Sequence, residues 1–425
     1  MENKFLVGAS TAAHQVEGNN IHSDFWAMEN MEFSNFDEPS LDAVDHYNRY
    51  KEDIDLLSNA GLNSYRFSIE WARIEPEQGK FNAEAINHYR DVLAYCHEKN
   101  VIPVVTLHHF SSPKWLIDLG GWKNPATADY FAAYSHKIVQ ELGTLLHYIC
   151  TINEANMGIQ IAAISERFKK QAMQQQTKNI QVGLNFDPEK MIEKMKKVAE
   201  ENQVLFNNPK PAIFLSELGA EGDAIIIEAH KKAKAEIKKI NPELKVGMTL
   251  SLHDIQAING GEELADKEWK EEFGHYIEHI QEDDFIGIQN YTRSVIGPEG
   301  ILPVPEDAIL TQMSHEFYPQ ALENVLRRVH KELGIPMLVT ENGIGIDDDR
   351  LRVRFINEAL EGVQRCIDDG LSVLGYLHWS LLDNFEWQKG YSKTFGLIAV
   401  DRKTQTRYPK PSLKVLGQFT DKFNN

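Results

Sequence analysis

Apolar runs of strand length recur along the chain, separated by stretches in which apolar residues return every three or four positions. The runs are Phe5–Ala9, Ser64–Ile69, Val101–Leu107, Tyr148–Ile152, Lys245–Leu252, Asp284–Tyr291, Pro336–Thr340 and Ser372–Trp379. Short runs of nearly continuous apolar character predict strands buried on both faces, as in a parallel sheet covered by helices. The segments between them supply the helices. Tyr50, Ile54, Leu57 and Ala60 share one helical face ahead of a stop at Gly61, as do Ile86, Tyr89, Leu93 and Cys96 before Asn100. Tyr318, Leu322, Val325, Val329 and Leu333 repeat the scheme before Gly334. Eight strands alternating with helices predict an α/β protein, a (β/α)8 TIM barrel, with residues 1–425 as one domain. A doubly wound open sheet is the alternative, but it calls for a glycine-rich phosphate turn after the first strand, and Gly8-Ala9-Ser10-Thr11 is not one.

One region breaks the alternation. Residues 165–208 are rich in Lys, Gln and Glu, with Glu166-Arg167-Phe168-Lys169-Lys170 and Lys194-Met195-Lys196-Lys197 inside helical stretches. Because this segment follows the fourth strand, it predicts a helical insertion on the mouth side of the barrel. A solvated insert and a lid that shapes the entrance both fit its composition.

Composition removes several partners. With 44 basic and 63 acidic residues the net charge is -19, which repels phosphate backbones and anionic lipid surfaces, so neither nucleic acid nor membrane is an expected partner. The N-terminal Met1-Glu2-Asn3-Lys4-Phe5-Leu6-Val7-Gly8 lacks the long apolar core of a signal peptide, which predicts a cytoplasmic protein. Cys96, Cys150 and Cys366 stand in apolar settings without metal spacing and read as reduced core residues. Homo-oligomer formation is left open.

The chemistry lies where strands end. Cys150-Thr151-Ile152-Asn153-Glu154 and Met337-Leu338-Val339-Thr340-Glu341 are apolar runs that stop at a carboxylate, since burying a bare one in an apolar sheet costs several kcal/mol. In a barrel both glutamates then face one cleft. The second strand adds Arg66 and Glu70, the third His108-His109, the sixth Gln289-Asn290-Tyr291, and the eighth Trp379 followed by Asp383, Glu386 and Trp387. A Schiff-base aldolase needs a lysine among these ends, and none offers one. A metal site needs several converging ligands, whereas adjacent His108 and His109 point to opposite sides of an extended backbone. Paired acids with amides, indoles and an arginine suit a sugar.

Seven motifs in order carry a resemblance. They are Phe-Leu-Val-Gly-Ala-Ser-Thr-Ala-Ala-His-Gln-Val-Glu-Gly at 5–18, Tyr65-Arg66-Phe67-Ser68-Ile69, Thr106-Leu107-His108-His109-Phe110, Gly120-Gly121-Trp122, Thr151-Ile152-Asn153-Glu154, Thr340-Glu341-Asn342-Gly343, and the run from Trp379 to Trp387. Over nearly its whole length the chain resembles glycoside hydrolase family 1. The resemblance implies a retaining β-glycosidase, most simply a β-glucosidase, acting without cofactor or metal on a small β-glycoside or oligosaccharide. It assigns Glu341 as nucleophile and Glu154 as acid/base. Arg66 and Tyr291 are then expected to donate to Glu341 and hold it ionised, and its charge to keep Glu154 protonated. The same carry-over places Gln15, His109, Asn153, Trp379, Glu386 and Trp387 around the sugar. Gln15 and Glu386 bracket the 4-hydroxyl, Asn153 holds the 2-hydroxyl, and Trp379 forms the apolar floor.

Members acting on 6-phosphorylated sugars resemble one another in a serine where this chain has Glu386. A carboxylate there repels a phosphate, which favours unphosphorylated substrates. The departures are Ala155 for the usual proline, Phe110-Ser111-Ser112-Pro113 for Trp-Asp-Leu-Pro, Gln289-Asn290-Tyr291 for the more frequent Asn-Tyr-Tyr, and a short loop from Gly343 to Asp349. The alternatives are a 6-phospho-β-glycosidase, a non-catalytic sugar-binding barrel, and a barrel lyase or isomerase.

Overall fold

The computed structural model describes residues 4–176 and 188–425, with backbone only for 167–176 and 188–192. Nine parallel strand segments form the central sheet: β1 (Leu6–Ser10), β2 (Ser64–Ser68), β3 (Ile102–His108), β4 (Tyr148–Ile152), β5 (Lys245–Gly247), β6 (Thr249–Ser251), β8 (Ile286–Gln289), β11 (Met337–Asn342) and β12 (Val373–Trp379). Their order, β5-β4-β3-β2-β1-β12-β11-β8-β6, becomes a ring because β5 and β6 are consecutive halves of one stave. Cys150 pairs with Gly247 on one side of that stave and Thr249 with Gly287 on the other. The eighth-fold repeat of the sequence is therefore a (β/α)8 barrel whose fifth stave divides at Met248.

Helices wrap the ring where the apolar stripes place them, at His46–Asn59, Ala83–Glu98, Thr127–Leu142, Gly219–Ile240, Ala321–Glu332 and Asp349–Asp368. Side chains alternate along each strand, so one set fills the barrel and the other packs under the helices. Leu6, Val104, Cys150, Phe285, Leu338 and Leu377 form the inner plug, while Val7, Ala9, Tyr65, Phe67, Val105 and Val339 join the larger core beneath the helices. Adjacent staves approach too closely for side chains at several glycines, Gly8 and Gly343 among them. A Cβ on Gly8 would stand 2.0 Å from the Ser64 carbonyl oxygen, and one on Gly343 2.0 Å from that of Trp379.

A smaller sheet stands beyond the mouth: β7 (Asp254–Ala257) follows the fifth stave, β9 (Arg293–Gly297) follows the sixth, and β10 (Gly300–Ile301) returns antiparallel on β9. A last pair, β13 (Ile398–Val400) and β14 (Arg407–Pro409), runs antiparallel. The segment after β4 is helical over Met157–Gln176 and Pro188–Phe206, while residues 177–187 of the expected insertion lie outside the described residues. Its second helix is anchored at the mouth, where the Glu201 carboxylate accepts the N–H groups of Glu32 and Phe33 at 3.0 and 2.9 Å.

The seventh stave does not stop before its carboxylate. β11 runs through Glu341 to Asn342, with register shifts against both neighbours after Val339. Those irregularities turn Glu341 into the barrel, where an arginine meets it, and so remove the penalty that argued for a strand end.

Candidate active site

Arg66 projects from β2 into the barrel and is fully buried. Its Nη1 donates to Glu341 Oε1 at 2.6 Å and its Nη2 to Asn153 Oδ1 at 2.5 Å, so one guanidinium ties the end of β4 to the end of β11. Gln289, last residue of β8, builds a second bridge between the same two oxygens, its Nε2 donating to each at 2.7 Å. The Tyr291 hydroxyl donates to Glu341 Oε2 at 2.5 Å. Glu341 is thus a buried carboxylate with three donor contacts, from a cation, an amide and a phenol.

Glu154 is placed by a strained turn. Its φ is 44°, a left-handed conformation uncommon for a side-chain-bearing residue, and Thr249 of β6 holds it there. Thr249 Oγ1 accepts the Glu154 N–H at 2.9 Å, and the Thr249 carbonyl accepts the Ala155 N–H at 3.0 Å. A proline at position 155 has no N–H for that second bond, so the alanine here is used structurally.

The electrostatics separate the two acids. Burial pushes Glu154 well above the usual carboxylate range; the charge of Glu341 adds to it, and a hydrogen bond with Ser251 and the Arg66 charge oppose it. Burial also raises Glu341, against Arg66 and the Tyr291 hydroxyl. The expectation that these donors simply hold Glu341 ionised is thereby modified: desolvation outweighs them, and the difference between the two acids lies in their order. Glu154, pushed by the same burial and by its neighbour's charge, is the weaker acid.

An aromatic wall completes the cleft. The His109 ring stacks against Trp379 with centroids 5.6 Å apart and against Trp387 at 6.1 Å. Burial, with Arg66 nearby, holds His109 well below the ordinary histidine range, so it is neutral. Its neighbour His108 points away, bonded to Ser112 Oγ at 3.0 Å and packed on Trp122 and Phe214. Trp379, Trp387 and Tyr291 share one apolar cluster with Ala12 and Phe395. Gln15 donates to the Phe385 carbonyl at 2.8 Å and to Glu386 Oε2 at 3.4 Å. Burial and the charge of Glu341 lift Glu386 to about 8.

The ten residues to which the resemblance gives a catalytic, supporting or sugar-binding role converge on this cleft: Glu154, Glu341, Arg66, Tyr291, Gln15, His109, Asn153, Trp379, Glu386 and Trp387. Trp115 and Trp269 lie apart and pack, their indole N–H groups bonded to Glu75 and Glu332. Five buried polar atoms of the cleft have no hydrogen-bond partner among the described residues, namely Gln15 Oε1, Arg66 Nε, His109 Nδ1, Asn153 Nδ2 and Gln289 Oε1. Unsatisfied buried donors and acceptors are costly, and a ring of them beside stacked indoles is suited to a polyhydroxylated ligand. Sequence reasoning found the fifth stave but not its part in the site, where Thr249 and Ser251 hold Glu154, nor the bridging role of Gln289. The signal was a polar residue closing an apolar run, Ile286-Gly287-Ile288-Gln289.

A sequence model of glycosyl hydrolase family 1 matches residues 1–204 and 281–424. The chain belongs to glycosyl hydrolase family 1. A 1,4-beta-D-glucan glucohydrolase of Thermotoga neapolitana is 30% identical over 96% of this chain and 95% of its own. The 6-phospho-beta-galactosidase 1 of Streptococcus pneumoniae is 29% identical over 96% of each. The crystal structure of beta-glycosidase BGL167 is 43% identical, covers 98% of this chain and 96% of that one, and superposes with a TM-score of 0.88. The protein is a family 1 β-glycosidase, and therefore an enzyme.

Proposed function

We propose that the enzyme is a retaining β-glucosidase that removes the terminal non-reducing residue of small unphosphorylated β-glycosides by double displacement. The observation that carries this reading is the double bridge from Arg66 and Gln289, which brings Glu341 and the segment bearing Glu154 to one cleft with unequal acidities. In the first step Glu154 gives its proton to the departing glycosidic oxygen while Glu341 attacks the anomeric carbon, and the bond to the aglycone breaks. Esterified Glu341 no longer carries charge. The proton affinity of Glu154 then falls, and as a carboxylate it takes a proton from the water that attacks the same carbon. Glu341 leaves, and the product keeps the starting configuration. Asn153 binds the 2-hydroxyl, Gln15 and Glu386 the 4-hydroxyl, and the Trp379 face lies under the ring.

The whole chain acts as one catalytic domain in this reading, with the insertion at 165–208 as a lid over the aglycone side. Three free, buried cysteines suit a reducing compartment, and we place the enzyme in the cytoplasm on that ground. A 6-phospho-β-glycosidase is the second reading, favoured by the pneumococcal relative and by the charge of Lys393 acting on Glu386.

The test is a panel of nitrophenyl β-glucoside, β-galactoside, β-fucoside and β-glucoside 6-phosphate with wild type, Glu154→Ala and Glu341→Ala. Turnover of the glucoside by wild type is expected, with azide giving an inverted product from Glu341→Ala and a retained one from Glu154→Ala. Hydrolysis restricted to the 6-phosphate favours the second reading, and swapped azide products reverse the two roles.

A further inference from the structure

Gln289 stands where the resemblance places an asparagine more often, and its amide does something specific. Both hydrogens of Nε2 are committed, one to Asn153 Oδ1 and one to Glu341 Oε1, at 2.7 Å each. The same two oxygens also accept from Nη2 and Nη1 of Arg66. Arg66, Glu341, Gln289 and Asn153 therefore close a four-membered ring of side chains in which two acceptor oxygens each receive one donor from Arg66 and one from Gln289. The reverse orientation of the Gln289 amide would set its oxygen against a carboxylate and a carbonyl, so the hydrogen-bond pattern fixes which atom is nitrogen.

Asn153 inherits its orientation from this ring. With Oδ1 held by two donors, the amide cannot turn without losing both, and Nδ2 is left buried, aimed out of the ring and without a partner among the described residues. Gln289 Oε1 is left in the same condition on the other side of the bridge. Glu341 depends on Gln289 less, because Arg66 and the Tyr291 hydroxyl still restrain its two oxygens when Gln289 is removed. For Asn153 only Arg66 remains.

We propose that Gln289 is a positioning residue for 2-hydroxyl recognition: by bridging Asn153 and Glu341 it keeps Asn153 Nδ2 pointed at the sugar and couples that contact to the attacking carboxylate. This rests on the reading of Asn153 as the 2-hydroxyl ligand. Contacts to the 2-hydroxyl strengthen as the transition state forms, so loss of Gln289 lowers kcat more than it raises KM, and does so more for a substrate that has the hydroxyl than for one that lacks it.

The experiment compares kcat/KM for nitrophenyl β-glucoside and its 2-deoxy analogue in wild type, Gln289→Met, Asn153→Ala and the double variant. Methionine keeps the length and removes both N–H groups. Both substrates lose the share exerted through Glu341, and the glucoside loses about tenfold more, as expected for one well-placed hydrogen bond. In the double variant the ratio between the two substrates equals that of Asn153→Ala alone, because one residue acts through the other. Gln289→Asn, one methylene too short to span both oxygens, shifts the ratio in the same direction and serves if the methionine variant does not fold. An unchanged ratio in the Gln289 variants, or additive shifts in the double variant, overturns the proposal while leaving the hydrolase reading intact. Wild type inactive on both substrates overturns the two together.

Discussion

At the scale of single residues, the site works by giving identical side chains different surroundings. Glu341 and Glu154 are both buried, yet Arg66, Gln289 and Tyr291 address the first and a like charge addresses the second. Tyr291→Phe removes a donor to the ionised form of Glu341 and so raises its proton affinity further. Activity needs that carboxylate ionised, so the acidic limb of the kcat/KM profile moves to higher pH, by about one unit, with a loss of up to about tenfold on that limb. An acidic limb that stays in place contradicts the role given to the hydroxyl. Glu386 holds its proton up to about 8, so the charge expected to repel a phosphate appears only above that value. Discrimination against the 6-phosphate therefore steepens as pH rises through 8, and Glu386→Ser moves the ratio of glucoside to 6-phosphate hydrolysis by about a hundredfold toward the phosphate. Competition between the two substrates measured from pH 6 to 9 checks both statements. The two glutamates were legible in the sequence because a carboxylate at the end of an apolar run demands an explanation. Gln289 was not, since an amide at a strand end is equally at home as an aglycone contact and only the distances reveal the bridge.

At the scale of elements, staves and helices were readable because burial on both faces leaves an apolar run and burial on one leaves a stripe. What the sequence could not show was irregularity within a stave. Lys245–Leu252 reads as one run, yet its halves pair with different neighbours on either side of Met248. The β11 stave likewise carries register shifts that continue it through Glu341, and no residue type announces them. The helical character of the insertion was readable from its composition, whereas its docking through Glu201 on the backbone of Glu32 and Phe33 joins segments far apart in the chain. Close approach of staves is testable. Gly343 follows directly on β11 and faces the Trp379 carbonyl, so Gly343→Ala forces the seventh and eighth staves apart where Glu341 and Trp379 are carried. Thermal unfolding is expected to show a loss of about 3 kcal/mol, with activity falling further than stability alone explains. A variant with wild-type Tm and kcat would show that the mouth is more pliable than its packing indicates.

For the molecule as a whole, buried groups of opposite kinds shape stability against pH. Burial lowers His88 and His315 to about 4 and His108 to about 3, so the unfolded chain binds more protons below pH 6.5 and these groups remove stability as pH falls from there. Asp24 is the reverse case. Burial raises it to about 7, against the N–H groups of Ser112 and Phe25 that its carboxyl accepts. The folded state then binds the extra proton between the ordinary carboxylate range and pH 7, and stability falls as pH rises through that window and just beyond it. From pH 6.5 to 8 the loss due to Asp24 is about 1 kcal/mol, and Asp24→Asn flattens that part of the curve in denaturant titrations. A slope identical in the variant would place the cause elsewhere. The mechanism depends on two acids from the fourth and seventh staves reaching a single anomeric carbon. Its most direct test is incubation with a 2-deoxy-2-fluoro β-glucoside bearing a good leaving group, followed by peptide mass analysis of the inactivated enzyme. One fluoroglucosyl group on Glu341 is the predicted result, and a label on another residue, or inactivation without a covalent label, contradicts it.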